Sequence, residues 1–170
     1  QFADHSLERS YVAVCHGVPD VGDPRLAGVK GVGFEQGGFI RITTQLARHK
    51  TDRQRQAVLF QNGRHAVTRV KTIETFGTAA ALISCKLETG RTHQIRVHMA
   101  HIGHGLIGDP TYGGRRKFPD RQAGAEAVKS FERQALHAKT FGFIHPVSGK
   151  EMQFESALPD GFARLLRALR

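Results

Sequence analysis

The strongest constraint on the fold of this chain is a pair of β-prone segments hinged on a single glycine. His65 to Phe76 and Thr78 to Glu88 flank Gly77. In the first arm Val67, Arg69, Lys71 and Ile73 alternate against Ala66, Thr68, Val70 and Thr72. A period of two sends these sets to opposite faces of a strand. The second arm, Ala81 to Leu87, is another β-prone run, so the pair predicts an antiparallel hairpin with Gly77 at its turn. Tyr11 to Cys15 and Phe39 to Ile42 read as further strands. Lys139 to Ile144 and Glu151 to Glu155 form a second hairpin through Pro146 and Gly149. The glycine- and proline-rich stretch Gly17 to Gly38 reads as a long irregular connection.

Helical periodicity is confined to short pieces. Thr92 is placed to cap a helix whose apolar stripe is Ile95, Met99 and Ile102, and Gly103 is placed to end it. Ala125 to Gln134 predicts a short helix. Phe162, Leu165, Leu166 and Leu169 share one face of a final helix, with Arg164 and Arg167 turned away. Gly113 to Ala123, polar and basic, reads as a flexible loop. These elements predict an α+β fold, a mixed and mostly antiparallel sheet with flanking short helices. At 170 residues the chain has the size of one domain.

Charge bounds the partners. The 25 Lys and Arg against 15 Asp and Glu give a formal net charge of +10 and a pI near 10.3, the electrostatic footprint of a nucleic-acid binder. From Arg41 to Lys71 the basic residues include Arg48, Lys50, Arg53, Arg55, Arg64 and Arg69, while Asp52 is the only acid. A face built for solubility alone would mix the signs. A single-sign stretch suits a phosphate backbone, because each neutralised phosphate releases a condensed counterion.

Other chemistries fit poorly. Two cysteines, Cys15 and Cys85, do not make a disulfide scaffold, so a reducing cytoplasm is the expected location. No apolar run approaches the roughly 18 residues of a membrane span. Gly31, Gly33 and Gly37 have the wrong spacing for a dinucleotide loop, and Gly149-Lys150 lacks the rest of a phosphate-loop motif. His98, His101 and His104 are three apart, but Gly103 should end the helix before His104 and no cysteine or glutamate completes a metal set. His101 and His104 read instead as ordinary helix-surface groups. No metal and no cofactor are expected.

One segment is sharper. Gly90-Arg91-Thr92-His93-Gln94-Ile95-Arg96-Val97-His98 resembles the third conserved motif of the RluA family of RNA pseudouridine synthases. Gly108-Asp109-Pro110-Thr111-Tyr112-Gly113, downstream, is also similar to that family. Glu8 to Val14 with Gly17 resembles its tyrosine-bearing strand, and Arg133 to Ala138 with His145-Pro146 and Met152 its C-terminal hairpin. Arg48 to Arg53 with Ala66 to Thr68 is most similar to the branch acting on large ribosomal subunit RNA. Gly105 stands where the family usually has proline.

This resemblance implies an incomplete pseudouridine synthase fold, residues 1–170 forming the C-terminal part of the catalytic domain. The family's nucleophilic aspartate lies in a His-Arg-Leu-Asp motif upstream of the tyrosine strand, and no aspartate here has that setting. The upstream segment and an N-terminal RNA-binding module are therefore expected to be absent from this chain. By resemblance Arg96 holds the aspartate ionised, Tyr11 stacks on the target base and Ile95 lines the pocket. Arg48, Lys50, Arg53, Arg55, Arg91, Arg115, Arg116 and Lys117 are the expected RNA contacts. The implied protein is a cytoplasmic, monomeric isomerase that takes RNA as its partner. The alternative is a non-catalytic RNA-binding module retaining the fold.

Overall fold

A computed structural model describes residues 8–114 and 117–170. Its centre is an eight-stranded sheet in the order β2-β3-β5-β6-β1-β7-β8, with β4 also paired to β3. The strands are β1 (Glu8–His16), β2 (Val32–Glu35), β3 (Phe39–Arg48), β4 (Gln56–Leu59), β5 (Arg64–Phe76), β6 (Ala80–Leu87), β7 (Leu136–Ile144) and β8 (Glu151–Glu155). Every strand pairing is antiparallel, so the expected mixture of directions is not found among the described residues. The neighbouring pairs β2–β3, β3–β4, β5–β6 and β7–β8 are joined by connections too short for a parallel crossover, while β1 runs antiparallel between β6 and β7 from far away in sequence.

The hairpin about Gly77 forms as expected, with that glycine at φ +57°. The connection read as irregular between Gly17 and Gly38 instead contains α1 (Pro24–Ala27) and β2. Both are four residues long, too short to leave a clear periodicity. The outer edge of β3 is shared: Phe39–Ile42 pairs with β2 and Gln45–Arg48 with β4.

The sheet divides two cores, and strand alternation decides which side chain enters which. Val12, Val14, Ala80 and Leu82 face α3 (Ala125–Lys129) and α4 (Asp160–Leu169). There they meet Phe162, Leu165, Leu166 and Leu169, the predicted stripe of the last helix. Phe118 joins this core too, so the stretch expected to be a flexible loop is anchored there. Ala13, Cys15, Ala81, Ile83 and Cys85 face the other way, against Ile95 and Met99 of α2 (Gln94–His101) and Ile102 at its C-terminal cap. Both cysteines are buried thiols outside any disulfide, and burial pushes the Cys85 thiol up.

α2 is fastened to the sheet by polar as well as apolar contacts. The Gln94 amide uses all of its capacity. Its Oε1 accepts from Arg91 N–H (3.0 Å) and the Thr89 hydroxyl (2.7 Å). Its Nε2 donates to Val67 O (2.9 Å) and Thr68 Oγ1 (3.0 Å). One turn later His98, fully buried, lies between Thr44 Oγ1 and Thr68 Oγ1, each 2.8 Å away. Thr92 does not cap this helix. His93, the residue between Thr92 and the helix, takes the cap position in a left-handed conformation (φ +56°) without a side-chain cap, and Gln94 organises the turn instead. Gly103 ends the helix at φ +80°, as expected. His104 is buried rather than on the surface, its Nδ1 2.8 Å from His16 O, and His101 Nε2 lies 2.9 Å from Lys30 O.

Burial, reinforced by the nearby His101, pushes His98 down to about 3. Its folded value therefore lies below its unfolded one, and between them the unfolded chain binds a proton that the folded chain refuses. The contribution is complete above pH ~6.5 and is lost as pH falls towards 3, with a slope approaching about 1.4 kcal/mol per pH unit. His93, also pushed down by burial, acts in the same direction. Urea unfolding measured between pH 7 and 4.5 should show this loss, and His98→Gln should flatten the slope by about one proton. Parallel curves for the two proteins would contradict a buried neutral His98.

Candidate active-site cleft

On the α2 face of the sheet, β1, the first turn of α2 and the residues leading into β7 enclose a cleft of about 290 Å³. Tyr11, Arg91, His93, Ile95, Arg96 and Gln134 line it. Tyr11 arrives from β1 opposite Cys85 of β6 and Ala138 of β7, beside a bulge that shifts the β1–β7 register. Ile95 and Arg96 arrive from α2, whose first turn is set by Gln94. The structure thus brings Tyr11, Arg91, Ile95 and Arg96 together, although 80 residues separate Tyr11 from Arg91.

Arg96 already has a partner within the chain. Its Nε donates to Asp109 Oδ2 at 2.7 Å and its Nη2 to Oδ1 at 2.8 Å, a two-pronged pair that fixes the plane of the guanidinium. The Asp109 side chain is wholly buried, and its Oδ1 also accepts from Thr111 N–H (2.9 Å) and Tyr112 N–H (3.0 Å). Burial alone would raise the Asp109 carboxyl; the Arg96 guanidinium and the two backbone N–H groups outweigh it and hold the group low. Asp109 in turn raises Arg96 further above its usual range. The guanidinium lies 5.0 Å from the centroid of the Tyr112 ring. In the sequence Asp109 stands out only as part of the family-like stretch Gly108 to Gly113, and nothing local signals this pairing.

Tyr112 also connects the cleft with the basic loop between β3 and β4. Its hydroxyl accepts from Gln56 N–H at 2.6 Å and lies 3.0 Å from His93 Nδ1. The Arg55 guanidinium sits 5.5 Å from the same ring's centroid. Arg48, Lys50 and Arg53 are exposed on this loop and its approach. Arg91 donates through Nε to His65 O at 3.0 Å at the rim of the cleft. Two of the basic residues between positions 41 and 71 are otherwise engaged: Arg41 and Arg69 pair with Glu35 and Glu88, acids from outside that window. Lys117 lies apart, in a recess with His16, Phe118 and Lys129. Arg115 and Arg116 fall outside the described residues.

Among the described residues no three His, Cys, Asp or Glu side chains cluster to hold a metal ion. No helix among them is long and apolar enough to cross a membrane. The chemistry at hand is an oriented guanidinium, a phenol and an apolar wall. Together they can hold a planar ring beside a carboxylate.

Comparison with known proteins identifies the family. A family model described as RNA pseudouridylate synthase matches residues 1–101. Ribosomal large subunit pseudouridine synthase D of Zymomonas mobilis subsp. mobilis is 41% identical over 170 residues, covering 99% of this chain and 47% of that protein. The protein of the same name from Neisseria meningitidis is 42% identical over 171 residues, 100% of this chain and 41% of that one. The chain therefore spans less than half the length of these curated relatives. Among solved structures, human RNA pseudouridylate synthase domain containing 1 superimposes with a TM-score of 0.65 at 20% identity, over 99% of this chain and 67% of that one. At that identity the likeness speaks for the fold. The chain belongs to the RNA pseudouridylate synthase family, among its RluA-type, RluD-like members.

Proposed function

We propose that the full-length protein isomerises uridine to pseudouridine in large ribosomal subunit RNA. In this reading residues 1–170 supply the base-binding half of the active site and the nucleophilic aspartate comes from elsewhere in the protein. The observation that carries it is the convergence of Tyr11, Ile95 and Arg96 on one cleft. The target base leaves its stack to enter that cleft. Ile95 and Tyr11 then hold its ring, with Tyr11 also placed to take the carbon-5 proton. Arg96, oriented by Asp109, offers its remaining N–H groups to the incoming carboxylate and keeps it ionised in a poorly hydrated site. Neither a metal nor a cofactor enters the scheme, and the protein works as a cytoplasmic monomer.

Arg48, Lys50, Arg53, Arg55 and Arg91 would hold RNA phosphates near the cleft, with Arg115, Arg116 and Lys117 as a second group. RNA shape and the flipped base then select the site. A non-catalytic RNA-binding role requires only this electrostatic part and leaves the buried Arg96–Asp109 pair without a task.

Full-length protein should form pseudouridine in large-subunit RNA, whereas residues 1–170 alone should bind RNA without turnover; turnover by the short chain would place the nucleophile within it. Log affinity should fall with log salt by about 0.7 per phosphate contact on single strands. Arg53→Glu with Arg55→Glu should weaken binding to many RNAs alike, and salt-independent binding would contradict this. In single-turnover assays Arg96→Ala should abolish the reaction with little change in RNA affinity, while Arg91→Ala should mainly weaken binding. Asp109→Ala should cost about 3–5 kcal/mol in stability by stranding a buried guanidinium. Normal turnover by Arg96→Ala would reassign the arginine.

A further inference from the structure

His93 lines the cleft but has no part in the scheme above. Its ring is tied at one nitrogen only: Nδ1 lies 3.0 Å from the Tyr112 hydroxyl, and no described residue hydrogen-bonds Nε2. The direction of the Nδ1 bond follows from its neighbours. The Tyr112 oxygen accepts from Gln56 N–H at 2.6 Å, and a backbone amide can only donate. Tyr112 is buried, and among the described residues His93 Nδ1 is the one acceptor within reach of its phenolic hydrogen. The phenol therefore donates to Nδ1, and the ring proton of a neutral histidine resides on Nε2. Burial, together with the positive charge of Arg96, disfavours a second proton. The left-handed backbone at φ +56° places this ring ahead of the first turn of α2, edge-on to Tyr112 at 75°.

We propose that His93 is a substrate-contacting residue, whose Nε2–H donates a hydrogen bond to an acceptor oxygen of the target nucleotide in the cleft. This rests on the reading of the cleft as the uridine site. A phosphate oxygen and a uracil carbonyl share the required chemistry. A neutral donor with a fixed tautomer suits either one beside Arg91 and Arg96, because it adds direction without adding charge.

The test uses the full-length protein and RNA bearing the target uridine. Asn tolerates left-handed backbone and retains a polar atom at the Nδ1 position, but its amide stops short of Nε2. Gln carries a nitrogen donor about as far out as Nε2. His93→Asn should weaken RNA binding or kcat/KM by roughly five- to tenfold, the worth of one hydrogen bond. His93→Gln should recover most of that loss. Long-range proton–nitrogen NMR spectra of the free protein should show the His93 proton on Nε2, and on Nδ1 in no more than a minor fraction. Repeating the assay with a methylphosphonate 5′ to the target separates the two oxygens. If the contact is to phosphate, the Asn penalty vanishes on the one methylphosphonate diastereomer, Rp or Sp, that lacks the contacted oxygen; if it is to the base, the penalty persists on both. A proton residing on Nδ1, or wild-type affinity and turnover in His93→Asn, would overturn the proposal. Absence of RNA modification by the wild-type protein would overturn the uridine-site reading and this proposal with it.

Discussion

The site depends first on a carboxamide with every hydrogen-bonding position occupied. Gln94 joins the Thr89 hydroxyl, the Arg91 amide, the Val67 carbonyl and the Thr68 hydroxyl, and so ties the end of β6, the start of α2 and the middle of β5 at one buried point. A half-satisfied amide in that position would be costly, whereas a fully satisfied one admits a single arrangement. His98 repeats the device one turn further on, between a hydroxyl of β3 and a hydroxyl of β5. Apolar packing by Ile95, Met99 and Ile102 supplies burial without direction. The polar seam fixes the helix in rotation and along its axis, and thereby aims Arg96.

Arg96 and Asp109 complete the arrangement. Because Asp109 consumes two donors of the guanidinium, the pair presents little net charge but a well-defined set of remaining N–H groups. A second carboxylate entering the cleft meets directed donors rather than a loose cation. Tyr112 supports the arrangement from the side, and through its hydroxyl and ring it also holds Gln56 and Arg55. The basic loop and the cleft are thus mechanically adjacent, although the loop that carries Arg48 to Arg55 lies far from α2 in sequence.

Much of this was legible in the sequence, and what was missed has physical causes. The hairpin about Gly77, the stripe of α4 and the apolar face of α2 are periodic over many residues, and each forms as expected. α1, β2 and β4 are four residues each, too short to repeat a period often enough to reveal it. Thr92 looked like a cap because threonine commonly serves as one, but the seam lets Gln94 take over that role. His104 looked exposed because helical spacing says nothing of the strand that packs over it. Arg41 and Arg69 looked free because Glu35 and Glu88 meet them only across the sheet. Tyr11 stands in one family-like motif and Arg91, Ile95 and Arg96 in another, and the structure supplies their common cleft. Asp109 lay in a recognised motif as well, but its pairing with Arg96 spans 13 residues of loop and helix end, which no local pattern encodes.

The central claim is that Tyr11 and the Asp109-oriented Arg96 form the base-binding half of a uridine-isomerising site. The most direct measurement is a crystal structure of the full-length protein with RNA whose target uridine carries fluorine in place of the carbon-5 hydrogen. The account predicts the flipped ring in the cleft against Tyr11 and Ile95. Arg96 should keep its two bonds to Asp109 and meet a second carboxylate with its remaining donors. A base lodged outside this cleft, or Arg96 released from Asp109 and facing solvent, would contradict the account.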